Sequence, residues 1–262
     1  MTAIAETVRP LTRPESRYFY FHMALACMAV AFIGFVPTYW VPLAAGSARI
    51  DPVLHLHGLI FFSWTLYYVF QTWLAATGQI ARHRMTGLIG VSLATAMLIF
   101  GVMAAIHSIR GADAAGNGPL GGAFAIVPLT NITFFALLIM LALANVRRPE
   151  WHKRLMLMAA IFILGPAIAR WFLTLLPAPR PPSVVYTLGL ESAAYLLVLV
   201  PLAHDWRTRG RPHPVYITGA AARLAIVLLR VPFSGTHAWH SIAGWVSRLA
   251  GRANLATCRA IT

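Results

Sequence analysis

The chain alternates between long stretches without charge and short basic segments. A helix needs about 20 apolar residues to cross the hydrocarbon layer of a membrane. Four uncharged runs exceed that length, and they lie between Arg17 and Arg49, Asp51 and Arg82, Arg84 and Arg110, and Asp113 and Arg147. Three later apolar runs contain one or two charged residues each. The pattern predicts seven membrane-spanning helices, at roughly 20–44, 54–78, 86–108, 123–146, 155–176, 183–203 and 215–233.

The composition agrees with a chain that lies in lipid. Of the 262 residues, 59% are hydrophobic and only 11% are charged, whereas a soluble domain has about 25% charged residues. So few charges exclude an ordinary cytosolic enzyme and a disordered chain. The two cysteines, Cys27 and Cys258, provide neither a disulfide framework nor a metal-binding motif. We therefore expect an all-α, polytopic membrane helical bundle whose surroundings are the lipid bilayer.

The charge pattern predicts the orientation of this bundle. The net charge is +14, but the basic residues form short groups between the spans, so we expect no nucleic-acid partner. Protein partners are not indicated by the sequence. With seven spans, the N-terminal segment and the loops on one face of the membrane hold 12 Lys and Arg residues, and the loops on the other face hold Arg49, Arg110 and Arg180. Because basic loops stay in the cytoplasm, we expect an inner-membrane protein with a cytoplasmic N-terminus.

The same pattern divides the chain into three parts. Residues 1–19 form a cytoplasmic N-terminal segment, and residues 20–233 form the seven-helix transmembrane domain. Residues 234–262 are expected to contain an interfacial helix and a loose C-terminal tail. Trp239 and Trp245 would lie on the apolar side of that helix.

Two ionisable residues inside adjacent spans predict an intramembrane polar pair. Arg170 lies about 24 Å along the fifth helix from Arg154, and Glu191 lies about 12 Å into the antiparallel sixth helix. Their depths overlap, and an unpaired charge at membrane depth costs about 2.5 kcal/mol or more. We expect Arg170 and Glu191 to form an ion pair or to share a polar cavity. The alternative is that Arg170 extends to the interface and Glu191 is protonated.

Histidines are the second unusual feature, because there are 10 of them against 7 acidic residues. His57 begins a stripe on the second span that points to one side and should face the bundle interior; its other members are Phe61, Trp64, Tyr68 and Gln71. His107 ends the third span on the same side of the membrane as His57. We expect an outer pocket formed by His57, His107, Arg170 and Glu191, with Asp51 and His55 at its mouth.

These histidines suggest haem binding as the leading specific hypothesis. A bis-histidine haem site needs two histidines on different helices at one depth. His57 with His107 on the outer side, and His83 with His152 on the inner side, are the candidate pairs for haem b. The inner group also contains His22, His204 and Asp205. Two points argue against haem. His83 and His152 lie at the membrane edge. A helix that binds two haems would carry a second histidine about 21 Å from His57, and Gln71 occupies that position on the second span.

The third span carries small residues on one face, namely Gly87, Gly90, Ala94, Gly101 and Ala104. Such residues allow close helix packing, which is the interpretation we favour, although a flat face also admits a porphyrin.

Other functions remain open at this stage, and the sequence identifies no catalytic residues and no metal ligands. A small-solute permease would use the Arg170–Glu191 pair and the His57 stripe, but spans without breaks or repeats are unusual in transporters. A metal-dependent membrane enzyme is the weakest alternative, because clustered histidine boxes are absent. An accessory membrane protein without catalysis would need its polar groups only for packing.

Four segments in order resemble a family of uncharacterised bacterial multipass membrane proteins. They are HLHGLIFFSWTLYYVFQTWLAATG, HRMTGLIG, RRPEWHKRLMLMA and HDWRTRGRPHPVY, and the resemblance covers about residues 54 to 245. It implies a polytopic inner-membrane bundle and no particular activity. The resemblance assigns no role to the histidines that match the family's motifs in these segments, which are His55, His57, His83, His152, His204 and His213. A fainter likeness to cytochrome b-type haem-binding bundles lies in the histidines at helix ends.

Overall fold

The computed structural model describes residues 17–48, 50–175 and 184–259, and of residues 185–192 and 249–259 only the backbone is described. In this part of the chain all regular structure is helical, and no strand occurs. The elements are α1 (Phe19–Gly34), a π-helical turn (Val36–Trp40), α2 (Val41–Ala44), α3 (Pro52–Ala76), α4 (Ile80–Ala114), α5 (Gly118–Phe124), α6 (Ile126–Ala144), α7 (Pro149–Phe162), α8 (Gly165–Leu175), α9 (Val184–Arg209), α10 (Pro214–Ser234) and α11 (His237–Arg259). The predicted all-α bundle is confirmed.

Six described segments are long and apolar enough to cross a membrane. They are Phe19–Ala44, Pro52–Ala76, Ile80–Ala114, Gly118–Ala144, Pro149–Leu175 and Pro214–Ser234. The protein is therefore a multipass membrane protein, with six spans established where seven were predicted. The remaining predicted span, 183–203, falls on α9, and part of it lies outside the described residues.

The expectation of unbroken spans is wrong. The first span passes through the π-helical turn, in which Trp40 N–H donates to Phe35 O at 3.2 Å. The fifth span is interrupted between α7 and α8, just before Gly165 and Pro166. Prolines cause such breaks because they lack the N–H that the helix requires and because the ring clashes with the preceding turn. Membrane helices tolerate them where neighbouring protein surrounds the freed backbone groups.

The core lies around α7, which is surrounded by other helices. Leu157, Met158, Ala159 and Ile161 are all fully buried there. The predicted stripe on α3 also faces the interior, since Trp64, Tyr68 and Gln71 are buried. Burial on every side explains why the central helix can be apolar on all faces.

Small residues allow close helix contacts, as we favoured from the sequence. A Cβ atom at Gly90 would lie 2.7 Å from the Tyr67 ring, and one at Gly101 would lie 2.8 Å from Ile132. Gly87 differs, because a Cβ there would meet open space. Packing therefore explains the glycines in the middle of α4 but not the one near its beginning.

The C-terminal helix α11 folds back onto the bundle. The Trp239 side chain is buried, and its indole N–H donates to Gly122 O at 2.9 Å. Trp245 is exposed. Six residues on a helix correspond to about 240° of rotation, so the two tryptophans do not share one apolar side as we expected. One anchors the helix to α5, and the other faces the surroundings.

Candidate functional site

The two ends of the bundle differ strongly in charge. At one end, here called the basic end, α3 and α6 finish and α4, α7 and α10 begin. Exposed arginines surround it, namely Arg82, Arg84, Arg147, Arg148, Arg207 and Arg211. The other end, here called the opposite end, holds the start of α3, the end of α4 and the helix α11. Each end contains one group of histidines that the sequence singled out.

At the basic end the structure brings His83 and His152 together. The ring centres lie 6.3 Å apart and the ring planes are at 81°. The Nδ1 atom of His152 lies 2.9 Å from the backbone oxygen of Ala142, at the end of α6. The Nδ1 atom of His83 is buried and has no hydrogen-bond partner among the described residues. The predicted inner pair is therefore a real contact between the first turns of α4 and α7.

Polar side chains from α3 fix the position of this first turn of α4. Gln71 Nε2 donates to Thr86 Oγ1 at 2.7 Å and also contacts the Tyr67 hydroxyl. The Tyr67 hydroxyl in turn donates to the backbone oxygen of Thr86. Thr86 lies one turn beyond His83, so these bonds hold the helix that carries the histidine. Gln71, which argued against haem as a missing ligand, instead positions the neighbouring helix.

A buried ion pair joins α7 to α9 at the basic end. Arg154 and Asp205 are both completely buried, and the guanidinium binds the carboxylate through Nε at 2.9 Å and Nη2 at 2.6 Å. Arg154 Nη1 also donates to Glu150 Oε2 at 2.7 Å. Two-point binding of this kind fixes geometry as well as charge. Only the contact with Glu150 was visible in the sequence, because Arg154 follows Glu150 by four residues and can reach it on one helix face.

His213 completes this polar group where α9 turns into α10. Its backbone N–H donates to Asp205 Oδ2 at 3.0 Å, and its Nδ1 accepts the N–H of Val215 at 3.3 Å. Burial lowers the pKa of the His213 ring, and the positive charges of Arg154 and Arg209 lower it further. The ring is therefore neutral at neutral pH, which leaves Nδ1 able to cap the start of α10.

At the opposite end, His57 and His107 do not come together. His57 Nδ1 lies 3.3 Å from the backbone oxygen of Phe100, whereas His107 Nδ1 lies 4.0 Å from Asp51. Phe100 and His107 are seven residues apart on α4, which is about 10 Å along the helix. The outer haem pair is therefore wrong, because the two rings lie at different depths.

Arg170 lies deeper than His107 at this end. Its guanidinium carbon is 4.2 Å from the centre of the Phe35 ring, and it lies within electrostatic range of His57. Its Nε is buried without a hydrogen-bond partner in the described part of the chain. The Glu191 side chain lies outside the described residues, so the ion pair with Arg170 stays a prediction.

The sequence underestimated two further arginines, Arg223 and Arg230 in α10. Both are buried, and both donate through Nη2 to the Oδ1 atom of Asn131, Arg223 at 2.6 Å. Arg230 Nε also donates to Thr130 Oγ1 at 2.7 Å. A spacing of seven residues is two helical turns, so both side chains point to the bundle. This spacing is the signal in the sequence that the predicted span 215–233 belongs in the bundle.

The contact between His83 and His152 presents two imidazoles from different helices. Among the described residues no group of three His, Cys, Asp or Glu side chains could hold a metal. A haem iron needs only one or two protein ligands, because the porphyrin supplies four nitrogens. The unpartnered His83 nitrogen and the open space at Gly87, one turn further along α4, fit such a group.

Comparisons with protein-family models, with curated proteins and with solved structures find no match to this chain. The chemistry of the two ends therefore has to be argued from the arrangement itself.

Proposed function

We propose that this multipass membrane protein binds a b-type haem between His83 and His152 at the basic end and takes part in electron transfer. One observation carries the proposal, namely the 6.3 Å separation of the two ring centres on different helices. Two imidazoles that each bind one metal ion at about 2.0 Å have ring centres about 6 Å apart, so His83 and His152 would be able to hold one haem iron together.

Neighbouring groups would orient the two histidines and bind the carboxylates of a haem. The hydrogen bond from His152 Nδ1 to the Ala142 oxygen would fix the ring orientation and leave Nε2 as the metal-binding atom. The Tyr67–Gln71–Thr86 bonds hold the first turns of α4 in place. The exposed arginines Arg82 and Arg84 on either side of His83 are suited to bind the haem carboxylates.

A bound haem would supply reversible one-electron transfer, which no side chain at this end can provide. The chain's own contribution would be to hold both imidazoles in a fixed orientation. The Arg154–Asp205 pair keeps α7, which carries His152, at a fixed height against α9.

The absorbance spectrum of the purified protein tests the proposal. Wild-type protein, expressed with added haem precursor and purified in detergent, is expected to show a Soret band that shifts on reduction with dithionite. H83A and H152A should each lose that band or convert it to a five-coordinate spectrum. H107A is the matched control, because His107 is half exposed and lies near Asp51 at the opposite end, and it should keep the band. A colourless wild type, or a band unchanged in H83A and H152A, would overturn the proposal.

A second candidate is passage of a small solute. The observation that favours it is the pair of helix breaks beside Arg170, namely the π-helical turn after Phe35 and the break before Gly165. Interrupted membrane helices often form substrate sites in transporters. Solute uptake into liposomes by a colourless protein would favour this candidate over haem binding.

We also propose a bacterial-type inner membrane with the basic end in the cytoplasm. The exposed arginines at the basic end support this orientation through the positive-inside rule.

A further inference from the structure

Arg170 is a candidate for a second site, because the described residues around it leave part of its hydrogen-bonding capacity unused. The residue lies in α8, within a segment that is able to span the membrane. The guanidinium rests on the Phe35 ring at 4.2 Å, and its Nε is buried without an acceptor among the described residues. Lipid tails cannot accept hydrogen bonds, so a guanidinium at this depth needs an acceptor from protein, water or a ligand.

Close packing of α1 against α8 places the Phe35 ring over Arg170. A Cβ at Gly34 would lie 2.5 Å from the backbone oxygen of Ala167, so the absence of a side chain allows α1 to approach α8 closely. The Trp171 indole N–H donates to the Ile33 oxygen at 2.9 Å and joins the same two helices. The π-helical turn begins directly after Phe35, and such turns occur frequently at functional sites.

His57 provides a second polar group beside the guanidinium. Its Nδ1 lies against the Phe100 oxygen at 3.3 Å, which turns the rest of the ring away from that carbonyl. The ring packs on Phe61 with centres 4.1 Å apart. His57, Phe61 and Phe35 are each half-buried, and aromatic rings border this polar group.

The charge decides which ligand fits. No described carboxylate lies within 4 Å of Arg170. Among the described residues nothing neutralises this half-buried positive charge, and an anionic ligand would do so whereas a neutral one would not. The planar guanidinium matches the two oxygens of a carboxylate. Aromatic walls at membrane depth require that the rest of the ligand is apolar.

We propose that Arg170, with His57 and Phe35, binds the carboxylate of a lipid-soluble acid in the half of the membrane at the opposite end. Arg170 binds the carboxylate oxygens, His57 provides a further hydrogen bond, and the apolar body of the acid lies against Phe35 and Phe61. This inference does not depend on haem at the basic end, since the two sites use different residues.

Binding is tested in nanodiscs of zwitterionic phospholipid with three ligands of equal chain length: decanoate, methyl decanoate and decanol. Decanoate should raise the thermal midpoint of the wild type and bind saturably in calorimetry, and the two neutral compounds should not. R170Q should lose the response to decanoate, and R170K should weaken it at least tenfold, because a lysine keeps the charge and loses the two-point geometry. R110Q is the matched control, because Arg110 binds the Ser247 backbone oxygen at the same end, and it should respond like the wild type.

Several results would overturn the proposal. Equal responses to decanoate and methyl decanoate would show binding of the chain alone. An unchanged decanoate response in R170Q and R170K would place the ligand elsewhere. If R170Q fails to fold, R170K and H57N still test the proposal. An unchanged decanoate affinity in both variants would exclude binding at Arg170 and His57. No decanoate response in the wild type, with one appearing in E191Q, would show that Glu191 is the carboxylate that occupies Arg170.

Discussion

At the scale of single residues, the most deeply buried charged side chains in the described part of the chain have hydrogen-bonding partners, and these side chains are Arg154, Asp205, Arg223 and Arg230. Asp205 shows it best, because it accepts two bonds from Arg154 and one from the backbone of His213. Removing one member of such a pair leaves the other charge buried without compensation. The effect should exceed that of any exposed pair nearby.

D205N should therefore destabilise the protein by about 3–5 kcal/mol, the usual cost of breaking a buried ion pair. The matched control is E150Q, because the Glu150 side chain is 45% exposed although it also binds Arg154, and it should cost about 1 kcal/mol or less. Unfolding in detergent, followed by circular dichroism, measures both. Equal losses in the two variants would contradict the argument that burial determines the cost.

His213 predicts how stability depends on pH. Its pKa in the folded protein is lowered by burial and by Arg154 and Arg209, whereas the unfolded chain has the ordinary value of about 6.5. Between the two values the unfolded state binds more protons, so stability is complete above about pH 6.5 and is lost as the pH falls toward the lowered pKa. Protonation also removes the Nδ1 acceptor for Val215 N–H.

H213N should reduce this acid sensitivity, because asparagine is able to cap α10 without titrating. Thermal midpoints of wild type and H213N, measured from pH 7.5 to 5, should diverge only at the acid end. H107N, which changes a half-exposed histidine at the opposite end, should follow the wild type. Parallel curves for all three proteins would show that another group causes the acid loss.

At the scale of the elements, the sequence predicted what depends on composition and missed what depends on neighbours. Uncharged runs located the spans because lipid requires about 20 apolar residues per helix. The breaks at the π-helical turn and before Gly165 were missed, because proline in a membrane helix is tolerated only with suitable neighbouring helices. Likewise, the sequence predicted similar depths for both histidine pairs, but only His83 and His152 lie next to each other, because depth alone does not determine which side chains meet.

The close contact of α1 with α8 gives a test at this scale. G34A should destabilise the protein by about 1–3 kcal/mol, because the new Cβ would lie 2.5 Å from the Ala167 backbone oxygen. The matched control is G58A in α3, where nothing lies within 4 Å of the new Cβ, and it should be neutral or stabilising by up to about 1 kcal/mol. Thermal unfolding of both variants in one detergent measures the difference. Equal midpoints for G34A and G58A would refute the close packing.

At the scale of the whole molecule, the positions of the first and last described helices determine whether the number of membrane spans is odd or even. The Arg17 side chain donates to the Ala76 oxygen at 2.7 Å, which places the start of α1 at the basic end. Trp239 binds Gly122, which places α11 at the opposite end. A chain that begins at one end and finishes at the other crosses an odd number of times. Six segments are counted as spans, so we expect α9, with its 26 residues, to be the seventh.

Cysteine labelling tests this topology. The cysteines are introduced in turns and on exposed helix faces at both ends of the bundle. With Cys27 and Cys258 replaced by serine, N117C and S241C mark the opposite end, and N145C and R211C mark the basic end. A membrane-impermeant maleimide added to spheroplasts should label only N117C and S241C, and permeabilised membranes should show all four. Labelling of S241C on the same side as N145C would mean an even number of crossings. It would remove α9 or α10 from the membrane, and with α10 the burial of Arg223 and Arg230 against α6 would lose its explanation.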